Sequence, residues 1–144
     1  MNENFQTKVD HIYAVGDAIG FSSLASTSME QGRIAYFHAF GKKAESVPNL
    51  LPYGIYTIPE ISVVGQSEET LTEEGIPYEV GKASYKEISR SQILGKGASE
   101  LIHIGQAALS LSGTVDYFVD TVFNYPTLAE CYKTAAFDGI NRLP

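Results

Sequence analysis

Two short runs hold residue types that could do chemistry. In the first, Ile12-Tyr13-Ala14-Val15 leads into Gly16-Asp17, and Gly20 follows. A carboxylate at the mouth of an apolar strand can accept hydrogen bonds from ligand hydroxyls, and the glycine beside it lets a ligand come close. The same Gly-Asp pair also serves as a plain turn. A helix then opens near Ser22 and Ser23. The first turn of a helix offers unpaired N–H groups and a partial positive charge, which suit developing negative charge. An ordinary capped helix fits those residues equally. In the second run, Tyr125-Pro126-Thr127 precedes Glu130 and Cys131. Histidine would be a competent base near neutrality, whereas a tyrosine with pKa about 10 is a poor one. A Tyr-Pro before a helix also commonly just packs. Thr127 and Glu130 have the spacing of a capping box.

The other reactive types point nowhere. Cys131 is the single cysteine, so an internal disulfide, a Cys-x-x-Cys pair and a cysteine zinc site are excluded. It reads as a small residue on a buried helix face. His11 and His38 lack partners at metal-ligand spacing, and His103 reads as an ordinary helix histidine. Glu68, Glu69, Glu73 and Glu74 read as a solvated acidic face. They lack the Asp/Asn alternation and central glycine of a calcium loop. No metal is expected. The net charge of −7 argues against nucleic acid, which calls for clustered Lys and Arg. No apolar run approaches the roughly 20 residues of a membrane span. The opening MNENFQTKVD has neither a basic region nor an apolar core, so a cytoplasmic protein is expected.

These residues must be positioned by a small set of elements. Residues 11–17 read as a short buried strand and residues 22–41 as a helix. Ser22 or Ser23 is its candidate cap, Gly41 its stop, and Leu24, Met29, Ile34, Phe37 and Phe40 its apolar face. The connector 42–53 carries Pro48 and Pro52 and marks an internal boundary. Residues 54–67 read as a strand interrupted at Pro59. A short acidic helix follows, with Ser67 as cap and Gly75 as terminator. Residues 77–88 read as a second strand bent at Gly81. Three helical segments complete the chain: 98–113, 114–123 and one beginning just after Pro126. Two strands make a marginal sheet, so strands are missing or supplied by a partner.

With these features in place, a resemblance can be stated. Residues 7–33, TKVDHIYAVGDAIGFSSLASTSMEQGR, resemble the second flavin-binding motif of the pyridine nucleotide-disulfide oxidoreductase family. YGIYTIPEISVVG resembles the strand that opens that family's dimerisation domain, and FNYPTLAECYKTAA its C-terminal signature. The resemblance implies an α+β chain. Residues 1–47 would be the strand-helix remnant of an FAD-binding domain, and residues 48–144 a dimerisation domain with an antiparallel sheet. It implies that Gly16 and Asp17 bind the ribitol of FAD and that the backbone at Leu24 and Ala25 faces the flavin. Tyr125 and Glu130 would lie in the signature that reaches a partner subunit's flavin. A homodimer follows, and the aromatic set Tyr53, Tyr56, Tyr117, Phe118, Phe123, Tyr125 and Tyr132 agrees with an interface.

Three departures shape the functional expectation. No G-x-G-x-x-G occurs, so the first flavin half-site and the nicotinamide domain are absent from this chain. It reads as the C-terminal portion of a longer protein and, alone, as inactive. Only Lys96 separates Gly95 from Gly97, where the family layout has a hairpin of roughly 25 residues. Tyr125 stands where thiol-reducing relatives have histidine. That favours hydride exchange between NADH and NADPH through FAD over disulfide reduction. The alternatives are a free-standing dimerisation module without redox activity and part of a disulfide-reducing flavoenzyme.

Overall fold

The computed structural model describes residues 1–20, 24–43, 50–83, 92–124 and 126–143. They form two units, Met1–Leu51 and Pro52–Pro144.

In the first unit, the chain doubles back on itself. Gln6 pairs with Tyr13 in a single antiparallel bridge, flanked by Thr7 N–H to Ile12 O at 2.9 Å and Ala14 N–H to Phe5 O at 3.0 Å. The buried strand expected at residues 11–17 is therefore only a bridged ribbon, and Ile12 is 46% exposed. The ribbon meets the helix that follows where the Tyr13 hydroxyl bonds His38 Nδ1, but a single bridge gives it no sheet around it, and Ile12 stays open to solvent. The ribbon runs into a 3₁₀ turn at Gly16–Ile19, and helix α1 spans Ala25–Ala39. Gly41 ends α1 as expected. It takes φ 64°, its N–H bonds to His38 O, and the Lys42 N–H bonds to Phe37 O at 2.8 Å. The expected caps Ser22 and Ser23 lie outside the described residues.

The apolar face expected on α1 is only partly buried. Ile34 is buried, together with Thr27, Gln31 and Ala35, while Met29 and Phe40 face solvent. The apolar residues are spread around the helix, so no single stripe decides which side packs. On the exposed side the rings of Tyr36 and Phe40 lie 4.8 Å apart.

The second unit is built on a three-stranded antiparallel sheet in the order β1-β2-β3: β1 Tyr53–Ile55, β2 Ile61–Val63 and β3 Gln92–Leu94. The interrupted strand expected around Pro59 is a hairpin, with Tyr53 opposite Val63 and a cis Ile58–Pro59 bond in its turn. The third strand makes up part of the expected shortage, with Ile61 opposite Leu94. The strand expected at residues 77–88 shows no more than a bridge at Lys82 among its described residues, and 84–91 lie outside them.

The short acidic helix α2, Glu68–Glu73, begins and ends where its cap chemistry predicts. Ser67 Oγ accepts the Thr70 N–H at 3.1 Å, and the Gly75 N–H bonds back to Thr72 O. From β3 the chain enters α3, Ala98–Ser110, directly through Gly95-Lys96-Gly97, and no hairpin intervenes. Gly95 N–H bonds to Glu60 O at 2.9 Å, which ties this junction to the start of β2. Helix α3 lies over β2 and β3 and buries Ala98, Ile102 and Ala108, next to Ser62, Val64 and Ile93 of the sheet region.

Helix α4 spans Val115–Asp120 and α5 spans Glu130–Ile140. Phe118 of α4 stacks on Tyr132 of α5, with ring centroids 5.0 Å apart. The segment before Ala83 crosses α5 at Gly81 and Gly139, where a β-carbon on Gly81 would overlap the Ala135 carbonyl. Asp138 secures that crossing. Its carboxylate accepts the Lys82 N–H at 2.7 Å and is held by Arg142. Gly81 therefore serves close approach as well as any bend. Among the described residues no helix is long and apolar enough to cross a membrane.

Candidate functional site

Gly16 and Asp17 open the 3₁₀ turn that joins the ribbon to α1. Gly16 is buried at φ 69°, a conformation that L side chains rarely adopt, and a β-carbon there would lie 3.0 Å from Ser28 Oγ. Its N–H donates to Gln31 Oε1 at 2.7 Å. The turn closes with Gly20 N–H donating to Asp17 O at 3.2 Å. Asp17 itself is exposed. So a buried glycine anchors the turn and the adjacent carboxylate is presented to solvent.

The amino end of α1 lies beside this turn, because Ser28 and Gln31 of its first two turns meet Gly16. Leu24 is the flanking residue, extended at φ −122°, and no side chain caps it. Ser28 Oγ donates back to Leu24 O at 2.9 Å. The N–H groups of Ala25 and Ser26 have no acceptor within the helix, and both residues are exposed. The four candidate residues Gly16, Asp17, Leu24 and Ala25 thus belong to one neighbourhood. It offers a carboxylate acceptor and a set of backbone donors.

The second candidate pair is not assembled in the same way. Tyr125 lies outside the described residues. Glu130 is the first residue of α5 and is half-buried. The capping box expected with Thr127 does not form. The Glu130 N–H reaches the Thr127 backbone carbonyl at 3.3 Å, while the Thr127 hydroxyl donates to Asn124 O at 2.6 Å. Ala129 takes the N-cap position, with helical angles and no side-chain cap. The hydroxyl is drawn to the carbonyl of the preceding turn, a local bond that competes with capping.

Cys131 is half-buried, and burial first, then the nearby Glu130 charge, push its thiol above the usual range. A thiol held neutral is a poor nucleophile. His103 shares a hydrogen bond with Gln106, and His38 Nδ1 shares one with the Tyr13 hydroxyl at 2.8 Å. Among the described residues no group of three His, Cys, Asp or Glu side chains could hold a metal ion.

A cavity of about 240 Å³ opens in the second unit between Ile93, Ile102, Leu109, Phe118 and Tyr132. None of the candidate site residues lines it. Its one conspicuous polar group is already engaged. The Tyr132 hydroxyl donates to Leu101 O at 2.9 Å and accepts the Gly105 N–H at 3.2 Å. Burial raises the Tyr132 pKa, and the Gly105 hydrogen bond partly opposes it.

Sequence reasoning missed Gln31. The one available signal was its place four residues after Thr27 and three before Ile34, on the helix face that is buried.

Known proteins agree with this architecture. The family model described as "Pyridine nucleotide-disulphide oxidoreductase, dimerisation domain" matches residues 51–94 and 91–136. The chain is 49% identical over 167 residues to the soluble pyridine nucleotide transhydrogenase of Mycobacterium bovis (strain BCG / Pasteur 1173P2), covering 99% of this chain and 36% of that protein. It is 46% identical over 171 residues to the same-named protein of Vibrio cholerae serotype O1 (strain ATCC 39541 / Classical Ogawa 395 / O395), covering 99% and 37%. The chain therefore spans about a third of the length of these curated relatives. The mycobacterial match extends over 167 residues, 23 more than the 144 of this chain. The two family-model stretches meet at residues 91–94, beside the Gly95-Lys96-Gly97 junction.

Solved structures share the fold. LpdA from Mycobacterium tuberculosis superposes with a TM-score of 0.71 at 24% identity, covering 94% of this chain and 35% of that one. The HOCl-induced flavoprotein disulfide reductase RclA from Escherichia coli superposes at 0.80 and 19% identity, covering 94% and 36%. The chain belongs to the pyridine nucleotide-disulphide oxidoreductase family, and its residues 51–136 are that family's dimerisation domain.

Proposed function

We propose that this chain carries the Asp17 end of an FAD site and the dimerisation domain of an enzyme that exchanges hydride between NADH and NADPH. On this reading residues 1–47 are the C-terminal part of the FAD-binding domain. The observation that supports it most is the pairing of an exposed Asp17 with the amino end of α1, which no described side chain caps, across the buried Gly16. The relatives named soluble pyridine nucleotide transhydrogenase support the choice of reaction.

The residues fit a flavin dinucleotide. The Asp17 carboxylate accepts hydroxyl hydrogens of the ribitol chain, and Gly16, with no side chain to meet Ser28, lets the turn that carries Asp17 sit against α1. The N–H groups beginning α1, near Leu24 and Ala25, offer hydrogen bonds and positive potential to an electron-rich ring edge. When bound, FAD supplies the two-electron carrier between the two nicotinamides. Tyr125 and Glu130 belong to the signature segment of the second unit, which on this reading faces a partner subunit's flavin in a homodimer. Tyr125 is not the base that thiol chemistry requires, which supports hydride exchange over disulfide reduction.

The chain by itself holds only part of this site. Loading it with FAD, passing it over a desalting column and adding NADH with an NADP analogue tests the reading. The expected result is loss of flavin on the column and no nicotinamide turnover. Retained flavin or turnover would mean that a whole redox centre lies in these 144 residues.

A second reading is a dimerisation module without redox activity. It is favoured by exposed apolar residues around the β1–β2 hairpin: Tyr56 is 81% exposed and Ile58 fully so. Light scattering separates the two. An FAD-independent dimer whose Gly16 and Asp17 never respond to flavin supports the module.

A further inference from the structure

Buried polar side chains are retained where they satisfy a specific partner, since an apolar residue would fill the same space without a desolvation cost. Gln31 is such a residue. It sits at the centre of the buried face of α1, 6% exposed, flanked by Thr27, Ile34 and Ala35. Its carboxamide oxygen takes the N–H of Gly16 at 2.7 Å, fifteen residues earlier in the chain. Gly16 is itself buried and cannot turn to water for a substitute acceptor. On its other side it meets Ser28, and its φ of 69° places it in the left-handed region.

We propose that Gln31 is a positioning residue for Asp17. By holding the Val15–Gly16 peptide, it sets the direction in which the next residue leaves the ribbon and presents its carboxylate to solvent. The functional meaning of this device rests on the flavin reading above, but the device is a property of the turn itself. A leucine or methionine at position 31 packs as well against Ile34 and leaves the Gly16 N–H without an acceptor. The turn is then free to rotate, and Asp17 samples many directions instead of one.

The test uses the full chain, isotope-labelled, with Gln31→Met as the variant that keeps volume and loses the acceptor. Gln31→Glu keeps an acceptor oxygen at the same reach, and Gln31→Asn, one methylene shorter, stands in should Gln31→Met fail to fold. Two readouts are taken by NMR: hydrogen exchange and chemical shift of the Gly16 amide, and the response of the Asp17 amide to added FAD. The expected result for Gln31→Met is Gly16 exchange faster by about tenfold or more, with an upfield amide shift. Its FAD response at Asp17 weakens by about tenfold, and Gln31→Glu restores both. Helical content and the exchange of Ile34 stay unchanged, which a merely structural role would not predict. Gly16 protected in Gln31→Met as in the parent chain overturns the proposal. A parent chain whose Asp17 ignores FAD, while Gly16 still loses protection in Gln31→Met, upholds the device and sinks the flavin reading alone.

Discussion

The Glu60 carboxylate caps the amino end of α3 by accepting both the hydroxyl and the N–H of Ser99, at 2.9 and 3.4 Å. Gly97, the residue at the N-cap position, has no side chain to do so, and it takes a left-handed conformation. The Glu60 backbone carbonyl meanwhile holds the Gly95 N–H. One residue at the start of β2 thus secures the short passage from β3 into α3.

That arrangement predicts an acid sensitivity. The Ser99 hydroxyl first, then the Ser99 N–H, hold the Glu60 carboxyl below its ordinary value, with burial opposing. A carboxylate with a lowered folded pKa stabilises the fold above its unfolded pKa and loses that effect as pH falls through the folded value. Glu60→Gln should therefore lower Tm at neutral pH, and the gap from the parent should close below about pH 4. Thermal melts across that range check it. A gap that widens in acid would contradict the assignment.

The crossing at Gly81 predicts a contrast between two glycines. Gly81→Ala drives a methyl into the Ala135 carbonyl and should cost about 3 kcal/mol. Gly32→Ala places a methyl in open space within α1 and should stabilise by about 0.5–1 kcal/mol. Urea unfolding of both variants measures the difference, and equal effects would mean that the α5 crossing is not the tight contact described.

Tyr132 carries a third prediction. Tyr132→Phe keeps the stack on Phe118 and removes the hydroxyl that serves Leu101 and Gly105, at a cost of about 1 kcal/mol. Its raised pKa means that the folded state favours the neutral phenol. The associated stability is present below the unfolded pKa of about 10 and is lost as pH rises further. In an ultraviolet titration of the folded chain, the phenolate signal removed by Tyr132→Phe should be a late-rising component.

Much of this was legible in the residues because the signals were local. Ser67 and Gly75 bracket α2, and Gly41 ends α1, since cap chemistry depends on a few adjacent residues. The Gly16-Asp17 turn was legible for the same reason. What depended on distant partners was not. The strand expected at residues 11–17 needs a sheet to join, and the described residues give it a single bridge. The strand Gln92–Leu94 is too short to show a period, and only its pairing with β2 defines it. Thr127 had the spacing of a cap, but its hydroxyl turned to Asn124. Gln31 looked like any polar helix residue until the fold placed Gly16 against it.

The central claim is that Asp17 and the start of α1 form one end of a flavin site, and a titration of the labelled chain with millimolar FAD tests it most directly. The account predicts weak, saturable amide shifts that cluster at Gly16, Asp17, Leu24 and Ala25 and vanish in Asp17→Ala. Shifts that gather elsewhere, or that persist unchanged in Asp17→Ala, would contradict it.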